Sequence, residues 1–312
     1  MPPDEHAPVS PQDQDAGRLT EREYWDALYR REPQAPASGS NAAAAPAPAA
    51  APRSGFRRML SRAVAGLKGP DWFWNEVLPA FVQKQPAALG DDPSPSTATV
   101  VELGAAPGDE VLKFHECFGY QPFGLEYTPA GAAATRQNFE RKGVDPGNVV
   151  EGDLFDDALT RLYEARFDVV FSRGLIEHFA DPSEAIERHA RLAKERGLVV
   201  VTIPTLTGIH WAVARVLTPW QIPIHNLGIM RREPFERLFE QHGLDTLYCR
   251  YQGGINLLLS YTPQPAGWRG PLQAVLMKLQ LAAFAARRMG LSRGRYLNSS
   301  LIFIGRKRAR TK

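Results

Sequence analysis

Short apolar runs alternate with amphipathic stretches through the middle of the chain. The apolar runs are rich in β-branched and aromatic residues and predict strands at 97–103, 122–126, 149–151, 167–172 and 197–203. The stretches between them predict helices at 109–118, 130–142 and 182–195. Runs without a polar break, such as VVFS and LVVVTI, are typical of strands that are covered on both faces. The alternation therefore predicts an α/β domain in which helices cover both faces of a parallel sheet.

The pattern changes after the fifth predicted strand. A long connection is followed by a predicted helix at 233–242 and a predicted strand at 244–250. A helical stretch at 271–289 then precedes a last strand at 300–304, whose sequence is SLIFI. We therefore expect a helical insertion before the final strand of the sheet.

The N-terminal part of the chain has a different composition. Residues 1–17 are polar and contain prolines, and 33–52 consist mostly of Ala, Pro, Ser and Gly, so neither stretch can contribute to a packed core. Between them, 21–31 has helical character. The large side chains of this short helix share one face: Tyr24, Trp25, Leu28 and Tyr29. We expect 1–55 to be mostly disordered, with one short helix and an Ala/Pro linker.

Residues 56–95 are predicted to form a helical cap on the catalytic domain. The part at 56–82 is amphipathic and is broken by a Gly-Pro pair. An alternative is that this segment binds a membrane surface, because basic residues accompany its apolar ones. These basic residues are Arg57, Arg58, Arg62 and Lys68. We expect the catalytic domain at 96–305 and a basic tail at 306–312.

The overall charge is nearly balanced. The chain has 37 Lys and Arg against 34 Asp and Glu, which gives a formal net charge of +3 over 312 residues. A surface that neutralises phosphates needs a stronger basic bias, so nucleic acid is not the expected partner. The basic residues that crowd the C-terminus are interpreted as a solvated tail.

Cysteines are few and no long apolar segment is present. Cys117 and Cys249 are far apart and lack a metal-binding spacing, so neither a disulfide framework nor a metal site is expected. The N-terminus is acidic and Pro-rich, unlike a secretory signal, and no stretch approaches the ~20 apolar residues of a membrane span. These features predict a cytoplasmic protein.

The first predicted strand runs into a glycine-bracketed turn with the sequence VVELGAAPG. Gly104 and Gly108 enclose the turn after Glu102, where the lack of a β-carbon lets a ligand approach the backbone. The positive end of the following helix favours a negatively charged group. The turn lacks the middle glycine of a dinucleotide-binding loop and the Lys-Ser/Thr of a P-loop. An NAD-dependent oxidoreductase and a P-loop enzyme are therefore disfavoured.

Polar residues follow the next three predicted strands. Glu126 ends the second strand, where a carboxylate can accept hydrogen bonds from two ribose hydroxyls. Asp153 lies in the turn after the third strand, where it can accept from an adenine amine, and Ser172 ends the fourth. Because ligands of open parallel sheets bind beyond the carboxyl ends of the strands, we expect these positions to converge on one site.

Together these motifs resemble those of the class I S-adenosyl-L-methionine (SAM) dependent methyltransferases. The resemblance covers residues 99–203 and rests on VELGAAPG, GLEYT, EGDLF and FDVVFSRGLIEHFADP. It implies a Rossmann-like sheet and SAM as the cofactor, with the first motif around the methionine part, Glu126 at the ribose and Asp153 with Leu154 at the adenine. The implied cofactor-binding residues are Glu102, Gly104, Ala105, Gly108, Glu126, Tyr127, Asp153, Leu154 and Ser172.

The acceptor side is expected after the fourth and fifth strands. His178 and the pair His225-Asn226 are the candidate catalytic residues, because an alcohol acceptor needs a base. The connection that contains the pair is rich in Trp and Ile and is expected to form an apolar lid over the substrate. It resembles bacterial methyltransferases of surface-glycan and secondary-metabolite pathways, which implies a small-molecule or sugar hydroxyl as the acceptor.

Two alternative functions stay open. The Ala-Ala-Pro filling of the first motif also occurs among RNA methyltransferases, although the nearly balanced charge disfavours that function. The second alternative function is that of a noncatalytic SAM-binding scaffold, and the intact motif residues argue against it. The sequence SRGL after the fourth strand differs from Asn-Pro-Pro-Tyr, which counts against N-methylation of nucleobases or glutamine.

Overall fold

A computed structural model describes residues 17–30, 73–83, 98–260, 267–288 and 294–309 of the chain. The predicted Ala/Pro linker, most of the predicted cap and the last residues of the predicted tail lie outside the described residues. In the described part of the chain, seven strands form one sheet. In chain order they are β1 (Thr99–Leu103), β2 (Gln121–Glu126), β3 (Val149–Glu151), β4 (Phe167–Arg173), β5 (Ala193–Pro204), β6 (Leu244–Gln252) and β7 (Ser300–Lys307).

The strand order across the sheet is β3-β2-β1-β4-β5-β7-β6. Strands β1 to β5 pair in parallel, whereas β7 is inserted antiparallel between β5 and β6. The predicted α/β class and Rossmann-like sheet are confirmed, with a mixed rather than a wholly parallel strand arrangement. The carboxyl ends of β1, β2, β3 and β4 lie side by side along one edge.

The helices of the described residues cover both faces of the sheet and confirm most predicted bounds. They are α1 (Arg22–Arg30), α2 (Asp109–Phe118), α3 (Pro129–Arg141), α4 (Asp157–Leu162), α5 (Ser183–Leu192), α6 (Ile209–Leu217), α7 (Arg232–Gln241) and α8 (Arg269–Arg288). The predicted helical insertion before the last strand is α8.

One predicted helix is too long. The sequence predicted a helix to residue 195, but α5 ends at Leu192 and the next residue already pairs in the sheet, opposite Phe167. The Lys194 Nζ lies 2.8 Å from the Asp168 carboxylate, and Arg196 adopts a φ of 63°. Strand pairing and this ion pair outweigh the helix propensity of the Ala-Lys-Glu-Arg stretch, as tertiary contacts commonly do.

Two buried clusters fill the spaces on either side of the sheet. Successive side chains of a strand point to opposite faces, so Val100 and Phe171 join one cluster while Val101 and Val170 join the other. The residues at 73–83 cover the first face, where the Trp74 indole N–H donates to Glu110 at 3.0 Å and its ring packs edge-on against Phe114. No helix of the described residues is long and apolar enough to cross a membrane.

Candidate active site

A cavity lies beyond the carboxyl ends of β1, β2, β3 and β4. Six of the residues that the sequence proposed line it: Gly104, Glu126, Tyr127, Asp153, Leu154 and His178. The other six do not face it directly: Glu102, Ala105, Gly108, Ser172, His225 and Asn226. The convergence expected from the strand ends therefore occurs, and the structure separates the candidates that line the cavity from those that lie behind its wall.

The turn after β1 is held in shape by buried polar and glycine contacts. Glu102 is buried, and its carboxylate accepts a 2.9 Å hydrogen bond from the Val111 N–H in the first turn of α2. Burial raises the pKa of Glu102 well above its usual range. Gly108 has a φ of 94°, and a Cβ there would lie 2.9 Å from Thr135 Cγ2, so only glycine fits. Both residues shape the turn, and Gly104 with Ala106 presents it to the cavity.

The carboxylate of Glu126 is fixed by three donors. One of its oxygens accepts from the Thr128 N–H at 3.0 Å and from the Thr128 hydroxyl at 2.9 Å. The other accepts from the Ala106 N–H at 3.2 Å. Since each carboxylate oxygen has two lone pairs, the group can still accept further hydrogen bonds from a ligand in the cavity.

Asp153 forms the end of the cavity that follows β3. Its carboxylate accepts a 2.9 Å hydrogen bond from the Phe155 N–H. It also pairs with the Arg18 guanidinium at 2.6 and 2.7 Å. This ion pair is largely buried, with side-chain exposures of 9% for Arg18 and 18% for Asp153. The predicted adenine acceptor is therefore already bonded to a cation from the N-terminal segment.

The N-terminal segment at 17–30 covers the cavity, which the sequence did not indicate. The Arg18 guanidinium lies 4.3 Å from the ring centre of Tyr127 and 5.1 Å from that of Phe155. Farther along, the Tyr29 hydroxyl donates to the Ala106 carbonyl at 2.9 Å, and Trp25 packs edge-on against His178 with ring centres 4.9 Å apart. Trp25 and Tyr29 of α1 thus close the site, whereas Tyr24 and Leu28 stay exposed.

The predicted lid after β5 does not close this cavity. Its two tryptophans, Trp211 and Trp220, are 40% and 46% exposed and do not line the cavity. His210, in the same connection, is buried and accepts a hydrogen bond from the Asn256 N–H at 3.0 Å. The lid expectation is wrong for these tryptophans, because the segment's helix α6 packs against the residues around Leu257 and against α8 instead.

Ser172 at the end of β4 has an interior role. Its side chain is fully buried, and its hydroxyl lies 2.9 Å from Nε2 of His189 on α5. The other ring nitrogen of His189 contacts the Ala185 carbonyl at 2.6 Å. Burial lowers the pKa of His189 to about 4, so the ring is neutral at pH 7. The hydroxyl therefore connects β4 to α5 instead of facing the cavity.

His178 and His225 lie side by side although they come from different segments. Their ring centres are 4.6 Å apart. The Nδ1 of His178 lies 2.9 Å from the Ile224 carbonyl oxygen, and the Nδ1 of His225 lies 2.5 Å from that of Gln221. Burial, and secondly the neighbouring His225, lower the pKa of His178 to about 4. Burial also lowers the pKa of His225. Both rings are therefore neutral near pH 7.

Asn226 ties the two segments of this histidine pair together. Its side-chain amide donates to the Phe179 and Ala180 carbonyls at 3.1 and 2.9 Å, and its Oδ1 accepts from the Gly228 N–H at 3.0 Å. Its backbone N–H donates to the Glu177 carbonyl at 2.6 Å. All of these polar groups are used within the protein, so Asn226 positions the pair.

The comparisons with known proteins identify the class of enzyme. The family described as the methyltransferase domain matches residues 74–248, which is more than half of the chain. The chain therefore belongs to this methyltransferase family: it is a SAM-dependent methyltransferase, and SAM is its cofactor. No curated protein matches its sequence.

Several solved structures are similar to the chain. Haemonchus contortus phosphoethanolamine N-methyltransferase 2, in complex with SAM, is 16% identical over 81% of this chain and 60% of its own, with a TM-score of 0.47. Geranyl diphosphate C-methyltransferase from Streptomyces coelicolor is 15% identical over 80% and 79% of the two chains, with a TM-score of 0.45. A SAM-dependent methyltransferase from Archaeoglobus fulgidus is 16% identical over 68% and 87%, with a TM-score of 0.44.

The cavity suits this cofactor chemically. It offers the backbone of Gly104 and Ala106 in the turn after β1, a fixed carboxylate at Glu126, and a second carboxylate at Asp153 beside the apolar side chains of Leu154 and Phe155. An apolar slot with one acceptor suits an adenine, and a fixed carboxylate suits the hydroxyls of a ribose. SAM supplies an electrophilic methyl group on a sulfonium sulfur.

Proposed function

We propose that this enzyme transfers the methyl group of SAM to a hydroxyl of a small molecule or sugar. The main support for a hydroxyl acceptor is the pair of neutral imidazoles of His178 and His225, of which His178 lines the cavity. An alcohol needs a group that takes up its proton, whereas an amine acceptor needs only to be held neutral. Each ring holds its hydrogen on Nδ1 against a backbone carbonyl, which leaves the lone pair on Nε2 for taking up a proton.

The strand order supports an arrangement in which the cofactor spans the edge of the sheet. Asp153 follows β3 and His178 follows β4, and β2 and β1 lie between these two strands. We assign Asp153 and Leu154 to the adenine, Glu126 to the ribose, and Gly104 with Ala106 to the methionine part. The acceptor then binds on the side of His178, where Phe179 and Trp25 provide apolar walls.

The proposed reaction is an in-line displacement at the methyl carbon. The acceptor oxygen forms a bond to the methyl carbon as the carbon–sulfur bond breaks, and the electron pair of that bond stays on sulfur. The hydroxyl proton passes to Nε2 of His178, because Nδ1 of that ring carries the hydrogen that faces the Ile224 carbonyl. The chain contributes mainly position, because an aligned attack geometry provides a large share of the acceleration.

The test of this function is transfer of a labelled methyl group from SAM into fractionated metabolite and glycan extracts. We expect the label in a product whose methyl–oxygen linkage is established by mass fragmentation. The Glu126→Ala variant serves as the control, because its weaker SAM binding should lower the labelling when SAM is limiting. Label on nitrogen in these fractions, or in an RNA fraction of the same cells assayed alongside, would contradict the hydroxyl assignment.

Replacing Arg18 tests the adenine assignment. Arg18 bonds to both oxygens of Asp153 and competes with adenine for them, so we expect Arg18→Ala to tighten SAM binding by about three- to tenfold, on the order of the ~1 kcal/mol that such an ion pair contributes. Calorimetry with SAM measures the change. Arg22→Ala is the matched control, because Arg22 lies over the same Tyr127 ring at 4.8 Å and bonds to its carbonyl without bonding to Asp153. Weaker SAM binding by Arg18→Ala would instead make Arg18 part of the bound site.

A further inference from the structure

Three side chains at the acceptor end form a cluster of potential metal ligands: Glu177, His178 and His225. Each offers one ligand atom, and these atoms all lie within 4.8 Å of one another. Glu177 and His178 come from the 3₁₀ turn after β4, and His225 comes from the connection after β5. The sequence predicted no metal site, because its two cysteines lack a metal-binding spacing.

The backbone presents both imidazoles in the form that binds a metal. A carbonyl oxygen only accepts hydrogen bonds, so the Nδ1 that contacts Ile224 and the Nδ1 that contacts Gln221 each carry the ring hydrogen. In a neutral ring this leaves the lone pair on Nε2 of both His178 and His225. Metal-binding histidines commonly donate their other N–H to a backbone carbonyl in this way, which fixes the ring orientation.

Glu177 provides a second, independent observation. The residue is 1% exposed, and its Oε2 has no hydrogen-bond partner among the described residues. Its Oε1 lies 4.0 Å from Nε2 of His178. A buried carboxyl oxygen without a partner costs free energy unless a cation or donor compensates it. A metal ion between the carboxylate and the two imidazoles would provide that compensation.

The cluster borders the cofactor cavity. His178 and Gly174 line the cavity, and a Cβ added at Gly174 would lie 3.5 Å from Oε1 of Glu177. Gly174 therefore brings the wall of the cavity next to the buried Glu177 carboxylate. A ligand bound at the cluster on this side would reach the space where the acceptor is proposed to bind.

We propose that Glu177, His178 and His225 bind a divalent transition-metal ion that holds the acceptor hydroxyl. Two imidazoles and one carboxylate suit Zn²⁺ or Fe²⁺, whereas Mg²⁺ and Ca²⁺ prefer oxygen ligands. Ligand atoms at ~2.1 Å from a tetrahedral ion are about 3.4 Å apart. The three ligand atoms here lie within 4.8 Å of one another, so side-chain movements of about 1 Å would complete the site. Three protein ligands leave one coordination position open for the hydroxyl.

The proposal rests on the proposed function and states how the acceptor loses its proton. A hydroxyl bound to a divalent cation loses its proton more readily, and the oxygen that remains is held for attack on the methyl carbon. With the metal bound, Nε2 of His178 is a ligand, so the proton passes to solvent or buffer instead of to that nitrogen, and the metal does not change its oxidation state. The two histidines act as ligands, and Asn226 with the Ile224 and Gln221 carbonyls holds them in place.

The experiment is a metal titration of the full chain after removal of metals with a chelator, in the presence of S-adenosylhomocysteine. Zn²⁺ is followed by calorimetry and Co²⁺ by its visible absorption, and Mg²⁺ serves as a hard-ion comparison. We expect one Zn²⁺ per chain, and a loss in affinity of about tenfold to 100-fold or more in Glu177→Gln and His225→Ala. His115→Ala is the matched control, because His115 also places Nδ1 against a carbonyl, that of Tyr120, but lies outside the cluster.

Binding of S-adenosylhomocysteine shows that each variant is folded. If Glu177→Gln does not fold, the His225→Ala variant tests the metal site instead, because His225 is only half-buried. The proposal is overturned if the wild type binds no stoichiometric Zn²⁺ or Co²⁺, or if His225→Ala binds them as the wild type does. Hydroxyl methylation at full rate by the metal-free protein would overturn the metal site and leave the proposed function intact. Stoichiometric metal at the cluster with methyl transfer only to nitrogen would overturn the function and leave the site intact.

Discussion

Replacing His178 with alanine is expected to lower the turnover number by about 10²- to 10⁴-fold, the range that a proton-accepting or proton-releasing group contributes. His178 is the one member of the proposed acceptor pair that lines the cavity, and its Nε2 is the atom that either takes the hydroxyl proton or binds the metal that releases it. SAM binds mainly to residues after β1, β2 and β3 in our assignment. Its affinity should therefore stay within about threefold, a change below ~1 kcal/mol.

The measurement compares the turnover number with the SAM dissociation constant for the same preparation. His115→Ala serves as a control and should retain both values. Asn226→Ala should lower turnover less than His178→Ala, because Asn226 only holds the segments that carry the pair. Full turnover in His178→Ala would move the acceptor site elsewhere. Loss of SAM binding alone would make His178 a cofactor-side residue.

The sequence predicted the strand-end part of the site because that part is local. Glu126 and Asp153 each follow an apolar run directly, and the parallel sheet brings their positions to one edge whatever the rest of the chain does. Glu102 and Gly108 were recognised by motif but support the turn from behind, which a pattern of residue types cannot distinguish from lining it. Ser172 shows the same limit, since only its partner His189 reveals that its hydroxyl faces the interior.

The parts that the sequence did not predict depend on contacts between distant segments. The ion pair of Arg18 and Asp153 joins residues 135 positions apart, and nothing in the local pattern around Arg18 indicates it. The aromatic face of α1 was visible as a pattern, but a short amphipathic helix can pack almost anywhere. His178 and His225 were both named as candidates, yet their contact and the place of Glu177 between them needed the fold.

The site thus has two ends with different kinds of polar groups. The end at β2 and β3 has carboxylates held by backbone N–H groups, which suit the hydroxyls and amine of an adenosine. The end at β4 has neutral imidazoles held by backbone carbonyls, which suit a proton or a metal. Variants at the two ends should therefore separate cofactor affinity from turnover.

Replacing Glu126 with alanine is expected to weaken SAM binding by ~1–3 kcal/mol, or about five- to 150-fold, the cost of leaving ligand hydroxyls without their buried acceptor. The Glu126 carboxylate is held by Thr128 and Ala106 and still has lone pairs for a ribose. Glu126→Gln keeps the shape of the side chain and removes the charge, so its loss should be smaller. The dissociation constants of both variants are measured by calorimetry with SAM and with S-adenosylhomocysteine.

Glu151→Ala is the matched control for the Glu126 variants. Glu151 ends β3 directly opposite Glu126 in the sheet, but it is exposed, pairs loosely with Arg136 at 3.5 Å and does not line the cavity. Its replacement should leave SAM affinity unchanged. A melting temperature measured without cofactor separates lost binding from lost folding, because the Thr128 and Ala106 N–H groups also lose their acceptor in Glu126→Ala. Unchanged SAM affinity in a folded Glu126→Ala protein would mean that the ribose lies elsewhere in the cavity.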